Sequence, residues 1–277
     1  MSIVISVIIP ANNEGAYIGQ CLAALLDSDP VPGHALELVV VANGCTDDTV
    51  KVARRYQMAT SERGWTLKVL DLAEGSKVKA LNAGDVAAIG RYRIYLDADV
   101  RVSRPLLGQL VAELATDAPR YATGTPLIER SESRLTRIYA RFWQNVPFNR
   151  SQAPGFGLFA VNAAGRARWA KFPDIIADDT FVRLQFAPSE RCQIAACYTW
   201  PMVEGLGRLV RVRRRQDKGT REIAKRFPDL LQNEDKARPD ILALAKADPW
   251  GFAVYGIVIL LVRMGQPFSG KEWSRGR

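Results

Sequence analysis

Short apolar runs alternate with stretches of helical periodicity over the first hundred residues of the chain. The apolar runs are rich in β-branched residues and predict strands at 3–10, 36–41, 67–70 and 92–96. Apolar residues between them recur with the three- and four-residue spacing of helices at 18–26, 46–53 and 77–89. Strands separated by helices of this length predict βαβ units and therefore an α/β fold with a doubly wound, mainly parallel sheet.

The pattern becomes more irregular after residue 100. It predicts helices at 105–114, 135–146 and 181–186, the last beginning at Asp178, and strands at 121–128 and 192–200. Two glycines within the apolar run 154–161 suggest close approach of the backbone to a ligand or to another strand. A polar stretch then leads into thirteen uncharged residues at 250–262, fewer than the roughly 20 that a membrane span needs.

Composition and charge narrow the class of protein. The chain has 277 residues, is 48% hydrophobic and carries a net charge of +9, which favours an anionic partner such as a phosphorylated substrate, an acidic membrane or nucleic acid. A plain solvated basic surface is the alternative. Four cysteines without C-x-x-C spacing and a single histidine argue against a zinc site and against histidine catalysis, and Cys21 is predicted to be a core residue. The N-terminus lacks the features of a signal peptide, so we expect a cytoplasmic protein.

The apolar run at 92–96 ends in the sequence Asp97-Ala98-Asp99. A strand that ends in two carboxylates places oxygen ligands at the carboxyl edge of the sheet, where open α/β folds bind their ligands. Divalent cations such as Mg²⁺ or Mn²⁺ prefer such oxygens and bridge them to the phosphates of a substrate. A D-x-D sequence alone is also common in solvated loops, so its meaning depends on the residues around it.

Polar clusters follow each of the four predicted strands, at the edge where a doubly wound sheet gathers its ligand site. They read P-A-N-N-E at 10–14, N-G-C-T-D-D-T at 43–49, K-V-K-A-L-N-A-G at 77–84 and L-D-A-D at 96–99. Each cluster alone is explained as a turn or as a solvated helix start. Together they supply contacts for a base and ribose, a cation for phosphate and a metal site, as a nucleotide-diphosphate substrate requires.

The order of these four motifs resembles that of inverting family 2 glycosyltransferases of the GT-A fold, from residue 3 to about residue 219. The resemblance implies a nucleotide-diphosphate sugar donor, Mg²⁺ or Mn²⁺ at the D-x-D sequence, and inversion at the anomeric carbon. It also implies a GT-A domain at 1–219, with a nucleotide-binding half at 1–100 and an acceptor-binding half at 101–219. A helical tail at 220–277 follows.

Carried over to this chain, the resemblance assigns the donor site and the metal site. The residues expected to contact the donor are Pro10, Asn13, Glu14, Asn43, Lys77, Asn82 and Asp97. Pro10, Asn13 and Glu14 line the nucleoside pocket in this assignment, while Lys77 and Asn82 lie near the phosphates. Asp99 is the expected metal ligand, and Asp97 contributes to the metal site as well as to the donor.

The acidic pair Asp178-Asp179 matches the catalytic pair of the family. The resemblance makes Asp179 the general base, which removes the proton of an acceptor hydroxyl as the new bond forms. The neighbouring carboxylate of Asp178 is expected to raise the pKa of Asp179 by like-charge repulsion. The alternative is that the pair caps the helix, a role that Thr180 could equally supply.

Two positions depart from the family pattern. Ala42 stands where the family often has an acidic residue that contacts the base of the donor, so uracil, guanine and thymine donors all remain open. Residues 211–219 read R-V-R-R-R-Q-D-K-G where processive relatives carry Q-x-x-R-W, and neither the Gln nor the Trp falls in place. Arg213 and Arg215 are candidates to clamp the donor diphosphate. Contact with anionic lipid and a plain solvated face are the alternatives.

The ending at 251–277 is similar to the tail of bacterial membrane-associated members of the family. By that resemblance the acceptor is a sugar or a lipid-linked glycan at the cytoplasmic face of the inner membrane, and 249–264 makes a peripheral membrane contact. Trp250, Arg263 and Lys271 are residues typical of an interface, whereas a buried core helix is the alternative for this segment. Because the several spans of a processive synthase are lacking, we expect addition of a single sugar in polysaccharide or glycolipid biosynthesis.

Three other functions fit parts of the pattern. A sugar nucleotidyltransferase would carry a Gly-rich basic loop after the first strand, where this chain has Asn12-Asn13-Glu14. A non-catalytic nucleotide-sugar-binding protein would bind the donor without turnover, yet nothing in the sequence demands inactivity. A nucleic-acid binder rests on charge alone, because the aromatic residues show no stacking-module signature, and we expect no nucleic-acid partner.

Overall fold

The computed structural model describes residues 3–151, 153–235 and 239–264. The strands within these residues form one eight-stranded sheet in the order β3-β2-β1-β4-β7-β6-β8-β5. They are β1 (Ile3–Ala11), β2 (His34–Asn43), β3 (Thr66–Leu72), β4 (Tyr92–Leu96), β5 (Arg101–Val102), β6 (Tyr121–Ile128), β7 (Leu158–Asn162) and β8 (Arg191–Trp200). The α/β class and the strands predicted from the apolar runs are thereby confirmed.

Helices cover both faces of this sheet and continue beyond it. Those of the first half are α1 (Ile18–Leu26), α2 (Thr49–Arg54), α3 (Gln57–Glu62) and α4 (Lys77–Ala87). Those of the second half are α5 (Leu106–Leu114), α6 (Arg134–Gln144), α7 (Pro147–Ser151), α8 (Ala163–Arg166), α9 (Asp178–Arg183), α10 (Leu206–Arg226), α11 (Ile241–Ala247) and α12 (Pro249–Met264). Short 3-10 helices lie at Pro188–Glu190 and Pro228–Asn233.

The first half of the sheet is parallel throughout. β1 lies between β2 and β4, and β2 pairs with β3, all in the same direction. Residues 5–11 of β1 and 36–43 of β2 are buried, as expected of central parallel strands that are covered on both faces. The carboxyl ends of these strands therefore meet at one edge.

The second half of the sheet is mixed. β7 runs antiparallel to both β4 and β6, while β6 pairs with β8 in parallel. Because β7 is antiparallel to β4, its first residue, Leu158, lies beside Leu96, the last residue of β4. The loop that leads into β7 consequently reaches the same edge of the sheet as the D-x-D sequence.

Two apolar cores flank the sheet. The first packs the buried faces of α1 and α5 against the strands, and Cys21 lies within it at 1% exposure, which confirms the prediction for that residue. The second core lies on the opposite face and is rich in aromatic rings, and it also receives Phe181 of α9 and Ile223 of α10. The two helices that contain the acidic pair and the arginine run are thus held against the same face of the sheet.

Helix α10 continues through residue 219, where the sequence places the end of the glycosyltransferase domain. A Cβ atom at Gly219 would lie 2.9 Å from the Cβ of Ala177, so only glycine allows α10 to approach the start of α9 this closely. Ile223 beyond it is buried in the aromatic core. The predicted boundary therefore falls within a helix that packs on the body of the domain.

Helix α12 has one face packed on the core and one exposed apolar face, so a peripheral membrane contact stays a prediction for the exposed face. Val258 is fully buried against α6 and α10, and the ring of Tyr255 stacks on Tyr139 at 5.5 Å. The opposite side exposes Trp250, Ile257, Leu260 and Met264 by 50% or more. No helix among the described residues is long and apolar enough to span a membrane. Lys271 lies outside the described residues.

Candidate active site

The chain turns directly after β4, and this turn carries both carboxylates of the D-x-D sequence. The backbone N–H of Val100 donates to the carbonyl oxygen of Asp97 at 3.1 Å and closes the turn. The N–H of Asp97 donates to the carbonyl oxygen of Gly157 at 2.8 Å, which joins the turn to the loop before β7. Asp97 and Asp99 are both partly buried in this turn.

Cys21 of α1 lies beneath this turn, with its Sγ 3.9 Å from the carbonyl oxygen of Asp97. Burial raises the pKa of its thiol, and the carboxylates of Asp99, Asp97 and Glu14 raise it further. The charges of three acidic side chains from the ends of β1 and β4 therefore act on one sulfur atom. The structure brings predicted donor-binding and metal-binding residues together at this point.

Lys77 connects the D-x-D turn with the predicted base. Ser76 caps α4, because its Oγ accepts the N–H of Lys79 at 3.3 Å, and Lys77 is the first residue of the helix. The Nζ of Lys77 lies 2.9 Å from Oδ1 of Asp97 and 3.2 Å from Oδ2 of Asp178. Burial alone would lower the pKa of Lys77, but the two carboxylates raise it above its ordinary range. The side chain is thus a fixed positive charge between two acidic elements.

Asp178 and Asp179 form the first turn of α9. The cap residue is Ala177, which makes no side-chain cap hydrogen bond, so neither aspartate occupies the cap position considered as an alternative. Burial and the negative charge of Asp178 raise the pKa of Asp179 to about 6, against the opposing charge of Lys77. A carboxylate of this kind is ionised at neutral pH and still accepts a proton more readily than an ordinary aspartate.

Asn82 of α4 fixes the segment that precedes this acidic pair. Its Nδ2 donates to the carbonyl oxygen of Phe172 at 3.0 Å, and its Oδ1 accepts the N–H of Phe172 at 2.8 Å. Both ends of the amide are therefore engaged with one backbone position. Helix α4 holds α9 through Lys77 and through Asn82, and a direct contact of Asn82 with the donor stays a prediction.

The loops after β1 and β2 are tied together by asparagine side chains. Asn13 has a φ of 51°, and its Oδ1 accepts the N–H groups of Thr46 at 2.6 Å and Asp47 at 3.2 Å. Asn43 is 1% exposed; its Nδ2 donates to Ala11 O at 2.9 Å, and its Oδ1 accepts from Ser76 N–H. These amides shape the edge of the sheet by cross-linking its loops.

Two further predicted donor residues lie at the end of β1 and in the loop that follows it. Pro10 is buried near the end of β1, in register with Val41 of β2. The N–H of Glu14 donates to Oγ1 of Thr49 at 2.7 Å, which fixes the backbone from which the Glu14 carboxylate projects. Both residues therefore lie on the loop framework that the asparagines hold, and their contacts with a donor stay predictions.

The two predicted arginines of α10 point in different directions. Nη2 of Arg213 lies 3.7 Å from Oδ1 of Asp217, and its charge acts on buried Tyr139 of α6. Residues two positions apart on a helix project about 200° from each other. Arg215 therefore belongs to the side that carries Gly219, which packs on the residues just before Asp178. Helix geometry therefore places Arg215, rather than Arg213, on the side of α10 that packs against the start of α9.

The loop before β7 is part of the site, although the sequence indicated only a close backbone approach there. Gly157 has a φ of +66°, and a Cβ on it would lie 2.9 Å from the ring of Trp200. The hydroxyl of Tyr198 donates to the carbonyl oxygen of Phe156 at 2.6 Å. The signal in the sequence was the pair of glycines in an apolar run, and only the antiparallel course of β7 shows that it meets Asp97.

The carboxylates at the turn suit a cation whose remaining coordination positions are filled by the substrate. Within the described residues, no three His, Cys, Asp or Glu side chains come close enough together to hold an ion. Mg²⁺ ordinarily takes one or two carboxylates and fills its remaining positions with water and substrate phosphates. The carboxylates of Asp97 and Asp99 match that requirement.

The fold is that of GT-A glycosyltransferases. A mannosyltransferase from Pyrobaculum calidifontis, solved in complex with GDP-Man and Mn²⁺, superposes with a TM-score of 0.61 at 19% identity. The superposition covers 97% of this chain and 77% of that one. At this level of identity the likeness concerns the fold.

Relatives found by sequence match shorter stretches of the chain. Dolichyl-phosphate beta-glucosyltransferase of Drosophila melanogaster is 33% identical over 151 residues, which is 50% of this chain and 46% of that protein. Dodecaprenyl-phosphate galacturonate synthase of Rhizobium johnstonii is 30% identical over 117 residues, or 41% and 33% of the two chains. The match thus spans less than half the length of each of these curated relatives.

The glycosyl transferase family 2 model matches residues 6–172, which is more than half of the chain. The matched region includes all four motifs at the sheet edge, from the loop after β1 to the D-x-D turn. The chain belongs to glycosyl transferase family 2.

Proposed function

We propose that this protein is a divalent-cation-dependent, inverting glycosyltransferase that moves a sugar from a nucleotide-diphosphate donor to an acceptor hydroxyl. The observation that carries the proposal is the position of Lys77, whose Nζ lies within 3.2 Å of both the D-x-D turn and the acidic pair. A site for the leaving diphosphate and a base for the nucleophile are thereby neighbours, as a single displacement at one carbon requires.

The chemical roles follow from charge. The departing nucleotide diphosphate gains negative charge as its bond to the sugar breaks, and Lys77 is placed to stabilise that charge. Asp179, with a pKa of about 6, accepts the proton of the acceptor hydroxyl on the opposite side of the anomeric carbon. Asp178 stays paired with Lys77 and keeps the base oriented.

Asp99 and Asp97 would hold Mg²⁺ or Mn²⁺ together with the donor phosphates. When bound, the cation supplies Lewis-acid stabilisation of the leaving diphosphate. The presence of Mn²⁺ beside GDP-Man in the Pyrobaculum mannosyltransferase supports this assignment. Asp97 already contacts Lys77, so Asp99 is the main protein ligand in this proposal. The carboxylate of Asp97 is shared between Lys77 and the cation.

The names of two relatives, which contain dolichyl phosphate and dodecaprenyl phosphate, support a lipid-linked acceptor. A membrane contact would bring such an acceptor to the site. The exposed side of α12 presents the apolar stripe Trp250, Ile257, Leu260 and Met264, with Arg263 exposed beside it. An apolar stripe flanked by cations suits the surface of an anionic bilayer, as does the net charge of +9. We therefore place the protein at the cytoplasmic face of the inner membrane.

Replacing the apolar stripe by charge is expected to release the protein from anionic vesicles. Ile257→Asp combined with Leu260→Asp should weaken binding by about tenfold or more, because two side chains lose their apolar burial in the bilayer. The measurement is sedimentation with vesicles that contain phosphatidylglycerol. Deletion of α12 is less informative, because the inner face of α12 covers Tyr139 and its loss would expose the core.

The matched control is Met58→Asp combined with Val86→Asp, because these side chains are equally apolar and are 73% and 85% exposed elsewhere on the surface. This control should bind vesicles as the wild type does. Equal binding by the wild type and the α12 variant would show that α12 does not make the membrane contact.

The donor is best identified by thermal shift with UDP-, GDP- and dTDP-sugars, each with Mn²⁺ and with EDTA. A ligand raises stability with the logarithm of its concentration over Kd, so the true donor should give the largest shift, and only with Mn²⁺. Asp99→Ala should abolish the Mn²⁺-dependent part. The exposed carboxylate variant Asp117→Asn serves as the charge-matched control. Shifts that are unchanged by EDTA and by Asp99→Ala would refute the metal assignment.

A further inference from the structure

A group of unpartnered polar atoms lies buried on the sheet face next to α9. Among the described residues, no hydrogen-bond partner reaches the hydroxyl of Tyr121, Nε and Nη1 of Arg191, or either end of the Gln193 amide. The Tyr121 side chain is fully buried, and that of Arg191 is 2% exposed. A buried polar atom without a partner costs about 1–3 kcal/mol, so several of them on one surface indicate a site for a polar ligand.

The register of the sheet places these side chains together. Tyr121 of β6 lies opposite Arg191 of β8, and Gln193 is two residues further along the same strand. Side chains two positions apart leave a strand on the same face. Four of the five unpartnered atoms are hydrogen-bond donors, and the fifth, Oε1 of Gln193, is an acceptor. The Arg191 side chain also carries a positive charge. The chemistry of the surface therefore favours an oxyanion.

Acidic side chains cover this surface from outside. Arg183 of α9 is 1% exposed, and its guanidinium contacts Glu234 at 2.5 Å and Asp235 at 3.2 Å. Asp235 also lies 3.2 Å from Nη2 of Arg191. The carboxylates are 23% and 30% exposed, whereas both arginines beneath them are buried. Glu234 and Asp235 thus neutralise two buried cations as a bound anion would, and they occupy the solvent side.

The covered surface adjoins the predicted base. Arg183 follows Asp179 by four residues on α9, so the two lie on one side of the helix about one turn apart. The Tyr121 hydroxyl lies against Gly155, where any Cβ would overlap with it, and the charge of Asp179 acts on this phenol. In the proposed transfer, a group bound at Tyr121 and Arg191 near this base would belong to the acceptor, whose hydroxyl Asp179 activates.

We propose that Tyr121, Arg183, Arg191 and Gln193 form a subsite for a phosphate monoester carried by the acceptor, and that Glu234 and Asp235 close it in this structure. Its identification with the acceptor rests on the proposed sugar transfer, whereas the subsite itself is defined by the buried donors. A phosphate with two negative charges replaces the two carboxylates on the arginines, and its remaining oxygens accept from Tyr121 and Gln193. Entry of the acceptor requires the segment with Glu234 and Asp235 to move outward.

The test uses the full chain and inorganic phosphate, measured by thermal shift and by calorimetry in EDTA. Glu234→Gln combined with Asp235→Asn leaves Arg183 and Arg191 without counter-charges, so this variant should lose stability and recover it with phosphate. Its affinity for phosphate should exceed that of the wild type by about tenfold, because the internal carboxylates no longer compete. Tyr121→Phe in the same background should keep the fold, since the hydroxyl it removes is unpartnered, and should lower the affinity several-fold.

The matched control is Asp29→Asn combined with Asp117→Asn, which changes the net charge equally at exposed pairs with Arg104 and Arg91. If phosphate stabilised this control as much as the Glu234 and Asp235 variant, or if Tyr121→Phe left the affinity unchanged, the subsite would be refuted. Arg191→Lys is a further variant that keeps the buried charge, and it should reduce affinity by loss of the planar donor pair.

Two phosphate esters distinguish the source of the group. Glycerol 3-phosphate and farnesyl phosphate should both bind in a manner that depends on Tyr121. Equal affinities indicate a soluble phosphorylated acceptor, and tighter binding of farnesyl phosphate indicates a lipid headgroup. Failure of either ester to bind would contradict the proposal. Binding of the esters by a protein that consumes no nucleotide sugar would instead retain the subsite and refute the proposed transfer.

Discussion

Asp179→Asn is expected to reduce sugar transfer by about 10²–10⁴-fold while leaving donor affinity close to that of the wild type. The amide has nearly the same shape as the carboxylate but cannot accept the proton of the acceptor hydroxyl, and general-base catalysis contributes about this much to an enzymatic rate. The donor contacts that we propose for Lys77 and Asp99 do not involve the changed atom. Release of nucleotide diphosphate measures the rate, and calorimetry with the donor measures the affinity.

The pH dependence of the wild type provides a second readout. Because Asp179 acts in its ionised form and its pKa is about 6, activity should rise between pH 5 and 7 and then level off. Asp117→Asn, which removes a carboxylate that is 98% exposed, should keep both the rate and the profile. Turnover by Asp179→Asn within a few-fold of the wild type would remove Asp179 from the role of base.

Lys77→Met is expected to damage donor binding and the base together. The variant removes the cation that we propose stabilises the leaving diphosphate, so donor affinity and rate should both fall, the rate by about 10²-fold or more. Asp97 and Asp178 also lose their shared counter-ion, and a partly buried pair of this kind is worth about 1–3 kcal/mol of unfolding free energy. Thermal unfolding and donor titration measure the two effects separately.

The direction of the pH effect is specific to this contact. The positive charge of Lys77 lowers the pKa of Asp179, so its removal should raise that pKa above about 6 and move the rise of activity to higher pH. Lys79→Met is the matched control, because Lys79 is on the same helix turn, is 58% exposed and pairs with Glu74. An acid limb that stays in place in Lys77→Met would show that Lys77 does not act on the base.

The first half of the fold and the position of the polar residues at its edge were predictable because they depend on local sequence patterns. Buried parallel strands give continuous apolar runs, and the residue that follows each run lies at the carboxyl edge, which is how Asp97, Asp99 and Lys77 could be placed together. The helix after Asp178 was also evident. The expectation that Asp178 raises the pKa of Asp179 agrees with its position in the first turn of α9.

Contacts between distant segments were not predictable in the same way. The antiparallel pairing of β7 with β4, which brings Gly157 to Asp97, depends on the path of the chain through α6 and α7. Asn82 looks like a donor ligand in the motif, yet its amide holds the backbone of Phe172. Arg213 and Arg215 are alike in sequence, and only the packing of α10 at Gly219 separates their directions.

The central claim is that a sugar is displaced from its nucleotide at this edge by a nucleophile that Asp179 activates. The most direct measurement follows the anomeric signal by proton NMR while the protein, with diamagnetic Mg²⁺, consumes the donor that gives the largest thermal shift, with water as the acceptor. We predict that the first sugar released has the opposite anomeric configuration to the donor and that Asp179→Asn releases none above background. A product with retained configuration, or equal release by Asp179→Asn, would contradict it.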